Sequence, residues 1–127
     1  MSDLQTIFDT LKPLLQAYQP PLTAQVDTST RYELWSVTPP AEPLVVEGRK
    51  RSQVFFASLI IQKSYVGFYF MPVYVEDELK TIFQPELLRL LKGKSCFHIK
   101  KLDAALLGQI EAALKIGFEL YQHRGWI

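Results

Sequence analysis

One cysteine in 127 residues, Cys96, excludes an internal disulfide and fits a reducing compartment. Surplus charge is equally scarce: 14 Lys and Arg stand against 13 Asp and Glu, a formal net charge of +1. Such a balance sets up no long-range field to hold nucleic acid or an anionic membrane. No apolar run approaches the ~18 residues that a membrane-spanning helix needs. The opening MSDLQ has no basic segment ahead of an apolar core, so no signal peptide is expected. The six glycines are scattered, and none has phosphate-loop spacing. These absences lead to the expectation of a complete, soluble, cytoplasmic chain with neither nucleic acid nor membrane among its partners.

What is present is an ordinary globular composition, 48% hydrophobic and 21% charged, of a length that suits one domain spanning residues 1–127. Leu4, Ile7, Phe8, Leu11, Leu14, Leu15 and Tyr18 recur at helical spacing. Ser2 and Gln5 are spaced as a capping box, and Pro13 predicts a kink or break. QPPLTAQVDTST reads as loop. RYELWSVT is a strand, TPPAEP interrupts it, PLVVE is a second strand and GRKRS a polar turn. QVFFASLII and Tyr65–Met71 follow as third and fourth strands, joined by a tight turn at QKS. Links this short predict antiparallel pairing. From Glu76 the period turns helical through Leu79, Ile82, Phe83, Leu87, Leu90 and Leu91. Pro85 splits that segment and Gly93 caps it. KSCFHIK is a fifth strand. Asp103 caps a last helix, with Leu102 and Leu107 as a hydrophobic staple. Leu106, Leu107, Ile110, Leu114, Phe118 and Tyr121 are its buried stripe, and Gly125 ends it. The class is α+β: a two-layer sandwich, with the N- and C-terminal helices on one face of a mostly antiparallel sheet of about five strands.

The central strands are apolar on both faces. Val66, Phe68 and Phe70 oppose Tyr65, Gly67, Tyr69 and Met71. Phe55, Ala57, Leu59 and Ile61 oppose Val54, Phe56, Ser58 and Ile60. A second face left in water would be an unusually large apolar patch. Its cover could be the 79–91 helices, a partner subunit or a ligand, and loop length and packing favour the helices. In the fifth strand Lys94, Cys96, His98 and Lys100 share that face. A thiol and an imidazole ~6.5 Å apart along a strand could contribute to a metal site, or His98 could lower the thiol pKa. A structural zinc site wants four ligands, and His123 lies far off near an end expected to fray. The Tyr65, Tyr69 and Met71 side is expected to be partly concave, with Cys96 and His98 near its edge.

KSYVGFYFMPVY followed by LLRLLKGKSCFHIKKLD resembles the YdhG-like bacterial domains, a family of unknown function whose members read KNYVSYHLMPVY and GKSCFNFK at these blocks. RYELW and LDAALLGQIEAALKIGFE also fit, so the resemblance runs from about Leu4 to Gly117. It implies a frataxin-like α+β sandwich and, through some relatives, an iron chaperone serving iron–sulfur cluster or haem assembly. It implies no catalytic residues. Frataxin's acidic ridge is thin here: Asp3 and Asp9 in the first helix, Asp27 and Glu33 beyond it. The resulting expectation is a non-enzymatic binding domain. A small molecule or a second copy of the chain would bind on the face lined by Tyr65, Tyr69, Met71, Cys96 and His98. Iron delivery is the alternative and an enzyme using Cys96 ranks last. The sequence assigns neither a metal site nor a cofactor.

Overall fold

The computed structural model describes residues 3–36, 44–46, 49–51, 53–81 and 83–127, with backbone alone at 44–46, 49–51 and 77. Helix α1 (Leu4–Gln16) leads into β1 (Thr23–Asp27) and β2 (Arg31–Ser36). Short strands β3 (Leu44–Val46) and β4 (Arg49–Arg51) precede the long β5 (Val54–Ile61) and β6 (Val66–Phe70). Then come α2 (Met71–Val75), a 3-10 turn (Asp77–Thr81), α3 (Pro85–Leu88), β7 (Leu91–Lys92), β8 (Cys96–Ile99) and α4 (Ala104–His123). Six strands form one antiparallel sheet in the order β1-β2-β5-β6-β8-β7, and β3 and β4 form a separate ribbon. The fold is α+β, with the terminal helices against an open sheet.

Residues paired across strands share a face, and the register sorts them into rows. Tyr32, Leu59, Phe68, Phe97 and Leu91 stand opposite one another across five strands. Leu34, Ala57 and Phe70 make the next row, and Ile61, Val66 and Ile99 another. These rows carry the core: Tyr32, Leu34, Leu59, Phe68, Phe70 and Phe97 have no exposed surface. Burying each such side chain contributes about 1.5–3 kcal/mol. The helices complete the layer. Ile7, Phe8, Leu11 and Leu15 of α1 are buried, as are Leu106, Ile110, Leu114 and Tyr121 of α4. Phe118 and Tyr121 meet Phe56 at 6.4 and 5.2 Å between ring centres.

Several expectations are corrected. PLVVE is not a strand of the main sheet. Leu44 pairs with Arg51 within what read as the GRKRS turn, so the excursion closes on itself and β2 lies directly beside β5. β1 falls in the stretch read as loop, where Pro20 and Pro21 obscure the short alternation of Ala24 and Val26. α1 runs unbroken through Pro13, which is exposed, so water can satisfy the carbonyl its missing N–H leaves free. Gly93, at φ +70°, turns the β7–β8 hairpin instead of ending a helix. The C-terminus is not frayed. Trp126 is buried, its ring packs edge-on to Tyr121 at 4.9 Å, and its carbonyl accepts a hydrogen bond from the Ser36 hydroxyl. The calls on Ser2, TPPAEP and Ile82 lie outside the described residues. Pro85 does begin α3, and Asp103 caps α4, its carboxylate accepting from the Leu106 amide at 2.8 Å.

Two glycines of α4 should respond oppositely to a methyl group. A Cβ on Gly117 would stand 2.5 Å from the Phe70 ring and 2.7 Å from Pro72, whereas one on Gly108 meets nothing within 4 Å. Gly117→Ala is expected to cost about 1–3 kcal/mol by overpacking. Gly108→Ala is expected to gain up to about 1 kcal/mol of helix propensity. Urea unfolding of both variants checks the pair, and equal effects would contradict this packing.

Candidate functional site: the open sheet face

The 79–91 segment does not cover the second face. Leu79, Phe83 and Leu87 join the main core, and Phe83 packs 6.2 Å from both Phe70 and Phe97. Those two rings point toward α1 and α4, so the segment lies in the same layer as the terminal helices. No described helix packs on the opposite face.

Half-buried side chains of the sheet itself occupy that face. Its middle row is Glu33, Ser58, Tyr69, Cys96 and Lys92. On one side of it stand Trp35 and Phe55, with ring centres 5.2 Å apart. On the other run Arg31, Ile60, Gly67 and His98. Glu33 accepts from Arg31 Nε at 2.7 Å and from Trp35 Nε1 at 3.2 Å. The carboxylate is therefore held by a guanidinium and an indole although it is only 9% exposed. Tyr65, in the turn before β6, stacks on His98 with ring centres 3.8 Å apart and planes 10° apart. Tyr69 lies over Gly67: a Cβ there would be 2.8 Å from the tyrosine ring. Only a glycine lets that ring lie so low. Trp35, Phe55, Ile60, Tyr65, Tyr69, Cys96 and His98 all end up half-buried.

Four of the five expected residues thus come together as two neighbouring pairs, Tyr65 with His98 and Tyr69 with Cys96. Met71 does not continue the strand. β6 ends at Phe70, and Pro72 helps turn the chain into α2 with Met71 as its first residue. The five-residue set omits Trp35 and Phe55, and omits Gly67 although alternation along β6 places that glycine on this face. The signal for Gly67 was a glycine between two tyrosines at strand spacing. Phe55 was put on a face with Ala57 and Leu59, because a bulge is invisible to strict alternation.

The electrostatics are those of a neutral pair. Burial pushes the Cys96 thiol pKa up, and its hydrogen bond from the Tyr69 hydroxyl only partly offsets this. Burial and the adjacent thiol raise the pKa of Tyr69, whose hydroxyl also receives Gln62 Nε2 at 3.4 Å. Burial lowers the pKa of His98, and Lys92 and Lys100 lower it further, so the ring is uncharged at neutral pH. The imidazole is in no position to act as a cation that stabilises a thiolate. Among the described residues no three His, Cys, Asp or Glu side chains gather as metal ligands. Asp27 pairs with Lys12 at 2.5 Å and Glu76 with Arg124 at 3.1 Å. The concavity expected over the tyrosines does not coincide with the clefts that form at the end of β8 and between α3 and α4. A cleft of about 460 Å³ begins at His98, and Tyr65, Tyr69, Met71 and Cys96 do not line it.

Cys96 should behave as a protonated, shielded thiol. Its iodoacetamide alkylation is expected to be slow at pH 7, with a rate midpoint above the ~8.5 of a free thiol. Tyr69→Phe removes the one contact that lowers the pKa and should move the midpoint higher still. A midpoint near neutrality would contradict this geometry.

No family model matches this chain, and neither does any curated protein or any solved structure; the likeness to YdhG-like domains rests on the quoted motifs alone.

Proposed function

We propose that the chain is a non-enzymatic binding domain whose open sheet face associates with a second copy of itself. The observation that carries this reading is the asymmetry of the sheet: α1 and α4 lie on one face, and half-buried rings with no described helix over them lie on the other. Small-molecule sites are concave. A low surface of Trp35, Phe55, Ile60, Tyr69 and the Tyr65–His98 stack suits another low surface. Aromatic residues at the centre of a contact patch are the usual carriers of association energy.

The dimensions set the expected strength. Six strands at ~4.8 Å spacing and about five residues of ~3.4 Å rise give a face of roughly 500 Å². Two such faces bury on the order of 1,000 Å² together, the lower end of specific interfaces. A weak, reversible dimer follows. Sedimentation velocity across a concentration series should show a monomer–dimer equilibrium in the micromolar range. Tyr69→Arg, which sets a charge at the centre of the patch, should leave a folded monomer. A wild-type chain that stays monomeric to millimolar concentration would sink this reading.

Iron delivery, which the YdhG-like resemblance implies, has less to build on. Hard cations want several converging carboxylate oxygens, and Asp27, Glu33 and Glu76 are each engaged with a cation. Anaerobic calorimetry with ferrous iron is expected to show no binding tighter than millimolar. Low-micromolar binding that survives Cys96→Ala and His98→Ala would restore the iron reading through a carboxylate site.

A further inference from the structure

Where β8 runs out beside α3 and the start of α4, the chain forms a cleft of about 460 Å³. That volume is within the usual range for small-molecule sites. Its floor includes Leu90 and Leu106, and its rim carries Arg89, Lys92, Lys100 and Lys101 against Glu86 and Asp103. Four cations and two carboxylates thus surround one hollow in a chain whose formal net charge is only +1. The carboxylates do not neutralise the rim. Asp103 is turned to the α4 amides, accepting from Leu106 at 2.8 Å. Among the described residues none of the four cations is in an ion pair; the pairs there involve Lys12, Arg31 and Arg124.

We propose that this cleft binds a small organic dianion, of which a phosphate monoester on a compact apolar body is the simplest form. Unpaired cations around a common hollow repel one another, and an anion placed among them relieves that repulsion while gaining charge-assisted hydrogen bonds. Arg89 offers a planar fork for two oxygens, and the lysines supply point charges. Leu90 and Leu106 give the apolar part of the ligand a dry contact. Lys92 and Lys100 also lower the pKa of His98, which shows that both charges reach one wall of the cleft. The cleft shares His98 and Lys92 with the open sheet face, but the anion is held by the charged rim and the Leu90–Leu106 floor, so this inference does not depend on self-association.

Phenyl phosphate is the probe, with inorganic phosphate, phenol, phthalate and a single-stranded oligonucleotide as comparisons. In titrations followed by amide chemical shifts, phenyl phosphate should saturate, moving Leu90, His98, Lys100, Lys101 and Leu106. Inorganic phosphate and phenol should each bind at least about tenfold more weakly, since each lacks half of the recognition. Phthalate binding as tight as phenyl phosphate would replace phosphate by dicarboxylate and overturn the monoester form. The double variant Lys92→Gln, Lys100→Gln should lose about tenfold or more in affinity, and Lys115→Gln, at an exposed position of α4 away from the cleft, should change nothing. Thermal melts confirm that the variants are folded. Tyr69→Arg should still bind the probe, which separates this test from that of the sheet face. Absence of saturation to about 10 mM, equal affinity in the double variant, or tighter binding of the oligonucleotide would each overturn the proposal.

Discussion

Everything in this molecule depends on the register between β2 and β5. Leu34 faces Ala57, but the next residue, Trp35, faces Phe55, so Phe56 has no partner on β2. This is a bulge, two residues opposing one. Phe56 and Ala57 are consecutive, yet both are fully buried. Without the extra residue, strict alternation would put Phe56 on the open side along with Ser58. With it, Phe56 reaches α4 and forms edge-on ring contacts with Phe70 at 5.8 Å and Tyr121 at 5.2 Å. Tyr121 also donates its hydroxyl to the Phe55 carbonyl at 2.6 Å. The bulge therefore recruits a ring into the core and fastens α4 to the sheet at the same place. Burial raises the Tyr121 pKa far above the ordinary tyrosine range, and the nearby Arg124 charge only partly offsets it.

The same register explains why the open face needs no helix. Rows alternate between faces, and the row through Glu33, Ser58, Tyr69 and Cys96 brings small or polar groups to the middle of the sheet. Large rings flank them on either side, Trp35 with Phe55 and Tyr65 with His98. Ser58, flanked in its row by Glu33 and Tyr69, is only 2% exposed with no described helix above it. Gly67 allows the Tyr69 ring to descend, and the Tyr65–His98 stack lies on the side toward β8. A sheet can thus meet most of the cost of an apolar second face with its own side chains, and leave a low surface instead of a raw patch.

Much of this was legible in the sequence, for identifiable reasons. β6 and β8 alternate strictly, so the faces assigned to Phe68, Phe70, Phe97, Ile99, Tyr69, Cys96 and His98 match the structure. The Asp103 cap and the α4 stripe follow local rules that tertiary contacts do not override. What failed was whatever depended on counting across an irregularity. The bulge shifted Phe55 against its strand neighbours, Pro72 turned Met71 out of the strand, and Gly93 served a hairpin where a helix end was expected. The covering layer was misjudged for another reason. The length of the 79–91 segment was known, but its apolar residues fit either face, and only the register of Phe70 and Phe97 decides which.

The division of labour between the two candidate surfaces follows from where the charges fall. Along the middle of the open face, short of Lys92 at its β7 edge, the ionisable groups are neutral or paired: the thiol is protonated, the imidazole uncharged, and Glu33 locked to Arg31. Such a surface can be desolvated against another surface at little electrostatic cost. At the end of β8 the pattern reverses, and Lys92, Lys100, Lys101 and Arg89 stand unpaired around an apolar floor. A region like that resists burial against a neutral surface and favours a compensating anion. His98 sits at the boundary, stacked on Tyr65 on one side and facing lysines on the other. Association through the face and anion binding at the cleft would both press on that one ring, which makes it the natural point of contact between the two.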